Sequence, residues 1–139
     1  MHLLDTDTLT HLHAAHPRVA ERLHNLIDPE VGTTLITKIE LLRGRFDFVL
    51  KASVGAEFLR AQQLLERTEE LLAQLLVVPL DEAAVVQFEH LRKLRGLRKM
   101  GRADLLVASI ALAHRATLVT RNLRHFRAVP GLTAVNWVD

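Results

Sequence analysis

The sequence predicts a single α/β domain over residues 1–139, a mostly parallel central sheet flanked by helices with a protruding helical hairpin. Three observations carry that expectation. Short apolar or β-branched runs alternate with longer stretches of helical periodicity, the pattern of parallel strands joined by helical crossovers. Of 139 residues, 49% are hydrophobic, enough for one core and too many for a disordered chain. No internal repeat, low-complexity segment or linker divides the chain.

The elements follow in order. His2-Leu3-Leu4 reads as a first strand that stops abruptly at Asp5-Thr6-Asp7. Residues 8–15 are helix-compatible, with Asp7 as the expected cap. Pro17 then breaks the helix, because proline is tolerated in a first turn and not in an interior. A second helix should run to about Leu26, and Asp28-Pro29 marks a turn. Residues 31–36 are short and β-branched, a second strand. Thr37-Lys38-Ile39-Glu40 matches a capping box, in which Glu40 reaches back to the Thr37 amide. Ile39, Leu42 and Phe46 continue as a helical stripe.

Ser53-Val54-Gly55 separates that helix from a long one over residues 56–76, and the two form the hairpin. Burial is the default for their apolar faces, with docking of a partner helix as the alternative. Residues 75–80 read as the third strand. Asp81 caps a helix over 82–97, and a further helix spans 103–115. Residues 117–120 form the fourth strand, Pro130-Gly131 a turn, and residues 132–138 the last strand.

Composition excludes several classes. The chain has no cysteine, which removes disulfides and cysteine-ligated zinc or iron–sulfur sites and fits a reducing cytoplasm. Asp5 and Asp7 fall where a signal peptide needs an unbroken apolar run. Charges interrupt every later apolar stretch, so none suits a membrane span. A soluble, cytoplasmic protein is expected. Net charge is only +2, yet Arg92, Lys93, Arg95, Arg98, Lys99 and Arg102 occur within residues 90–102 without an acid. Such a patch attracts phosphate backbones, unless it is merely a solvated helix face.

Four polar residues occupy comparable places. Asp5 follows the first strand, Glu40 lies one turn into the helix after the second, Asp104 opens the helix before the fourth, and Asn122 follows the fourth. Each has an ordinary explanation: the Thr37 capping box for Glu40, the helix macrodipole for Asp104, an Asx-turn for Asn122. Together they suggest more. Carboxylates gathered without cations repel one another, and burying them is costly. A hard divalent ion such as Mg²⁺ or Mn²⁺ resolves that conflict.

The segments Leu3-Leu4-Asp5-Thr6-Asp7, Thr37-Lys38-Ile39-Glu40-Leu41-Leu42-Arg43-Gly44, Gly101-Arg102-Ala103-Asp104-Leu105-Leu106-Val107-Ala108 and Leu118-Val119-Thr120-Arg121-Asn122-Leu123-Arg124-His125-Phe126 together resemble PIN domains, specifically VapC-type toxin nucleases. Each motif is weak alone; their order and spacing over the whole chain are fairly specific. The resemblance implies a Mg²⁺- or Mn²⁺-dependent endoribonuclease, the toxin of a toxin–antitoxin pair. It places Asp5, Glu40 and Asp104 as metal-binding acids. Asn122 stands where many PIN domains carry a fourth acid, and as a neutral, weaker ligand it would contact water or substrate. Thr6 and Thr120 match supporting hydroxyls. The resemblance also implies a VapB-like antitoxin lying along the helical hairpin, and homodimerisation. Arg98, Lys99 and Arg102 are the expected RNA-steering cations. With 4% aromatic residues and no Tyr, extensive base stacking is not expected.

Other readings compete. Asp5-Thr6-Asp7-Thr8 resembles the opening motif of haloacid-dehalogenase-type phosphatases, with Asp5 as nucleophile and Asp7 as general acid/base. That fold needs a late Lys and a late acidic pair, and the last Lys here is Lys99. A receiver domain also needs a late Lys. A PIN-like RNA-binding module without catalysis is the non-enzyme alternative, opposed by the intact acids. His11, His13 and His16 read as surface histidines, and His125 as a packing or substrate-contacting group.

Overall fold

The computed structural model describes all 139 residues. Strands β1 (His2–Leu4), β2 (Val31–Thr34), β3 (Leu76–Val78), β4 (Thr117–Val119) and β5 (Thr133–Val135) form one sheet in the order β3-β2-β1-β4-β5. Every pairing is parallel, so the sheet is wholly rather than mostly parallel. The helices are α1 (Thr6–His13), α2 (Pro17–His24), α3 (Leu35–Lys51), α4 (Gly55–Ala73), α5 (Glu82–Leu91), α6 (Arg102–Ala113) and α7 (Leu123–Phe126), with a 3₁₀ turn at Arg95–Leu97.

Alternation along the strands divides the core into two layers, since successive side chains point to opposite faces. Leu4 and Val119 pack with Leu9, Val19, Leu41 and Leu72 under α1 to α4. Leu3 packs with Val78, Ala84, Ile110 and Ala111 under α5 and α6. Leu118 joins Leu91, Leu97, Leu105 and Phe126 on that same face. Leu3, Leu4, Leu118 and Val119 have no exposed surface. Each such burial is worth about 1.5–3 kcal/mol, so the two central strands anchor both layers.

The connections run outward from β1 to β2 and β3 on one side and from β4 to β5 on the other. Strand order therefore reverses between β1 and β4. Open parallel sheets bind ligands at such a reversal, beyond the carboxyl ends of the strands. Asp5 and Thr120 are the residues that directly follow these two strands, and the Asp5 amide donates to the Val119 carbonyl at 3.0 Å.

Several boundaries differ from expectation. Helix α1 begins at Thr6, and its cap is Asp5, whose carboxylate accepts from the Thr8 amide. Asp7 lies in the first turn and does not cap. Strand β2 ends at Thr34, which caps α3 by accepting from the Thr37 amide at 3.1 Å. The Thr37–Glu40 capping box therefore does not form. The strand ends two residues earlier than the β-branched pattern suggested and the cap falls three residues earlier, because Thr34 supplies a cap as readily as Thr37 does. Asp81 caps α5 as expected. That helix stops at Leu91 instead of reaching 97, and Leu94 is extended. The break lets Leu97 turn into the core beside Leu91 and Phe126.

The hairpin of α3 and α4 retains a large apolar surface. Ile39, Phe46, Phe48, Leu50, Phe58 and Leu59 are all exposed, Leu50 at 80%. Burial was the default expectation for these faces, and it holds only for residues such as Leu41, Ala61 and Leu72. No helix of the chain is long and apolar enough to cross a membrane.

Gly32 sits in β2 where a Cβ would collide with the Leu76 backbone carbonyl of β3. A neighbouring strand cannot swing aside as a flexible side chain can. Gly32→Ala should therefore destabilise the protein by about 1–3 kcal/mol, the usual cost of overpacking. Gly55→Ala, where a Cβ meets nothing, should not. Urea midpoints of the two variants check this.

Candidate metal centre and nucleic-acid interface

The carboxyl edge of the sheet gathers residues from across the chain. Asp5, Thr6 and Asp7 come from the β1–α1 junction, Thr37 and Glu40 from α3, Asp104 from α6, and Asn122 from the end of β4. All seven line one cleft of about 220 Å³, closed at its base by Val107 and Phe126. The residues predicted as metal-binding acids thus share a cavity with Asn122 and Thr6. No lysine or arginine lines it.

Local structure explains each position. Asp5 is held at the N-cap of α1, its Oδ1 2.9 Å from the Thr8 amide. Thr6 donates its hydroxyl to Glu40 Oε1 at 3.0 Å. Glu40 is the sixth residue of α3 and takes no part in capping, so the structural role foreseen for it is absent. Asp104 lies in the first turn of α6, where the macrodipole favours an anion. Its Oδ2 is 3.1 Å from His125 Nε2. That contact is off line for a hydrogen bond, and His125 Nε2 is buried without a hydrogen-bond partner.

Thr120 is fully buried, and its Oγ1 accepts from the Asn122 amide at 3.1 Å. The tight turn after β4 is thus closed by Thr120 and not by an Asx-turn of Asn122. The Asn122 side chain makes no hydrogen bond at the start of α7 and stays exposed. Asp7 is exposed and stands 3.6 Å from His11.

The electrostatics of Asp5 are unusual. Burial raises its carboxyl pKa above the ordinary value, the negative charge of Asp7 adds to this, and hydrogen bonds from Thr120 and Thr8 oppose it. A carboxylate that must ionise here is under-compensated by its surroundings. The donor set is entirely oxygen apart from the Asn122 amide nitrogen, the chemistry preferred by hard cations.

The side chains do not converge fully. No three acids or imidazoles of the chain surround a common point as ligands of one ion; the Glu40 carboxylate accepts from Thr6, and the Asp104 carboxylate lies beside His125. Magnesium does not demand such a cage. It commonly uses one or two carboxylates and keeps several waters. The oxygen donors that line the cleft, Asp5, Glu40 and Asp104 among them, are chemically suited to such an ion.

The three predicted RNA-steering cations separate. Lys99 lines a hollow of about 300 Å³ together with Leu97, Met100, Asn122, Arg124 and His125. Arg98 and Arg102 line a second hollow of about 450 Å³ with Arg92 and Lys93. Leu97 and Met100 belong to both. Arg124 was missed as a site residue. Its place two residues after Asn122, in an Arg-rich segment, was the available signal.

Comparison with known proteins agrees with this architecture. The PIN domain family profile matches residues 2–132. The chain belongs to the PIN domain family, which sets aside the phosphatase and receiver-domain readings. Ribonuclease VapC2 of Rickettsia felis is 50% identical over 38 residues, 27% of this chain and 28% of that protein. The match to this curated relative therefore spans little more than a quarter of its length. Solved structures resemble the whole chain. VapBC-1 from nontypeable Haemophilus influenzae superposes with a TM-score of 0.80 at 25% identity, covering 99% of this chain and 98% of that one. VapBC2 from Rickettsia felis, bound to a DNA fragment from its promoter, gives 0.79 at 26% identity, covering 98% of each chain. DNA-bound VapBC from Salmonella typhimurium gives 0.78 at 26%, covering 98% of this chain and 97% of that one.

The raised pKa of Asp5 has a testable sign. A carboxyl with a raised native pKa favours folding while protonated and loses that contribution as pH rises from the ordinary value of 3.8 through the native one. Asparagine caps a helix as well as aspartate and carries no charge. In EDTA, Asp5→Asn should melt above the unsubstituted protein at neutral pH, with the gap closing as pH falls below 3.8. Added Mn²⁺ should raise the melting temperature of the unsubstituted protein and not of the variant. Equal stabilisation of both by Mn²⁺ would place the ion elsewhere.

Proposed function

We propose that this chain is a divalent-metal-dependent endoribonuclease, the toxin of a toxin–antitoxin pair. One observation carries the reading. Asp5, Glu40 and Asp104, from three distant segments, line a single cleft that holds no cation of its own. Structural roles cover only part of this, since Glu40 caps nothing and burial opposes ionisation of Asp5. The likeness to ribonuclease VapC2 and to VapBC structures supports the assignment.

In this mechanism Asp5, Glu40 and Asp104 would hold Mg²⁺ or Mn²⁺. When bound, such an ion polarises a phosphoryl oxygen and lowers the pKa of a water near to neutrality. Thr6 positions Glu40 through its hydroxyl, and Thr120 fixes the turn that presents Asn122. The Asn122 amide donates to substrate or water without adding charge. His125 stands beside Asp104, its Nε2 3.1 Å from the carboxylate. Arg98, Lys99 and Arg102 offset the repulsion that an acidic cleft exerts on an RNA backbone.

The partner is a VapB-like antitoxin. The exposed apolar stripe of α3 formed by Ile39, Phe46 and Leu50 suits an amphipathic helix laid along it. Homodimerisation and a cytoplasmic location belong to the same proposal.

Purified protein, freed of any partner, should cleave mixed-sequence RNA with Mn²⁺ and stop with EDTA. Asp5→Asn and Asp104→Asn should each lower the rate by more than about a hundredfold, since metal stabilisation of the transition state amounts to several kcal/mol. Asp7→Asn should cost at most about 1 kcal/mol of stability, as a charge in the first turn of α1, and modest activity. Cleavage that survives both EDTA and Asp5→Asn would sink the mechanism, and equal loss in Asp5→Asn and Asp7→Asn would revive a paired-aspartate centre.

A further inference from the structure

The hollow beside the acidic cleft has a composition of its own. It lies between the 3₁₀ turn and α7, and no acid lines it. Lys99 and Arg124 are both exposed at its rim, and neither enters an ion pair within the chain. Buried Leu97 and half-buried Met100 give it an apolar floor. Its volume of about 300 Å³ is that of a small-ligand site. Two free cations over an apolar floor suit a group that is anionic at one end and flat and apolar at the other.

Two residues join this hollow to the acidic cleft. Asn122 lines both, and its side-chain amide has no partner in the chain. His125 lines the hollow while its Nε2 stands 3.1 Å from Asp104. A strand whose phosphate lies at the acids therefore has its neighbouring nucleotide at the hollow. No Phe or Trp lines it. The flat groups on offer are the Arg124 guanidinium and the His125 ring, and single-stranded bases stack on both kinds of group.

We infer that this hollow is a nucleotide subsite for single-stranded RNA, in which Lys99 holds a backbone phosphate and the plane of Arg124 stacks on the base next to the scissile bond. The inference rests on the nuclease reading above and adds to it a position where the substrate is gripped. Lys99 acts as a point charge, whereas Arg124 acts through its planar face as well as its charge.

The test uses the full chain carrying Asp5→Asn, so that RNA is bound and not cut, with a short fluorescein-labelled single-stranded RNA of mixed sequence followed by anisotropy over a salt series. Lys99→Ala should weaken binding and make the slope of log affinity against log salt shallower by about 0.7, one phosphate contact on a single strand. Arg124→Lys keeps the charge, so its slope should stay unchanged while affinity falls at least about fivefold, the loss of one stacked base. The distant pair Arg18→Ala/Arg22→Ala, on α2 and in a separate hollow, removes two charges where Lys99→Ala removes one, and should change neither. The inference is overturned if Lys99→Ala and Arg124→Lys bind like their parent, if the distant pair causes an equal loss, or if the parent does not bind the RNA. A cleavage assay on the Asp5-intact chain separates the two readings. Binding with the expected pattern but no cleavage leaves the subsite standing and removes the nuclease. Cleavage with unchanged binding in the variants does the reverse.

Discussion

A carboxylate forced below the surface at the end of the central strand constrains everything around it. Asp5 cannot retreat, because its amide is bonded to Val119 and its carboxylate caps α1. The strand before it is fixed by Leu3 and Leu4, which anchor opposite layers of the core. The site is thus built on fully buried strand residues, and the charged group is held by the packing behind it. Burial at that spot makes its ionisation expensive. A cation bound in the cleft would offset that cost, and ion binding would then be coupled to stability of the fold.

The charges around this centre are arranged in zones. Acids without lysine or arginine line the cleft, and cations without acids line the hollow next to it. Asn122 lies on the seam. A neutral amide at the seam disturbs neither zone, which gives a physical reason for finding an amide where a fourth carboxylate was the alternative. The apolar face of α3 and α4 forms a third zone. Exposed residues there come from both helices of the hairpin.

Much of the fold was legible in the residues. Alternation of strand-like and helix-like runs gave the parallel sheet, Pro17 marked the start of α2, and Asp81 marked the start of α5. The acids of the site could be picked out because each stood at a strand end or in an early helical turn. Boundaries were less legible where two residues offered the same chemistry. Thr34 and Thr37 can both cap a helix, as can Asp5 and Asp7, and in each case the earlier residue took the role. The choice depended on where the strand left the sheet, which its own sequence does not specify.

The sequence by itself determined the fold class, the core faces and the candidates for the site. Those properties follow from side-chain chemistry at spacings of two and of three to four residues, which any local stretch displays. Only the tertiary structure decided which candidates meet. It freed Glu40 from a cap and tied it to Thr6, turned His125 toward Asp104, and sent Lys99 and Arg102 into different hollows. It also left the aromatic face of the hairpin in solvent. These outcomes depend on distances between segments far apart in the chain, and no local pattern encodes such distances.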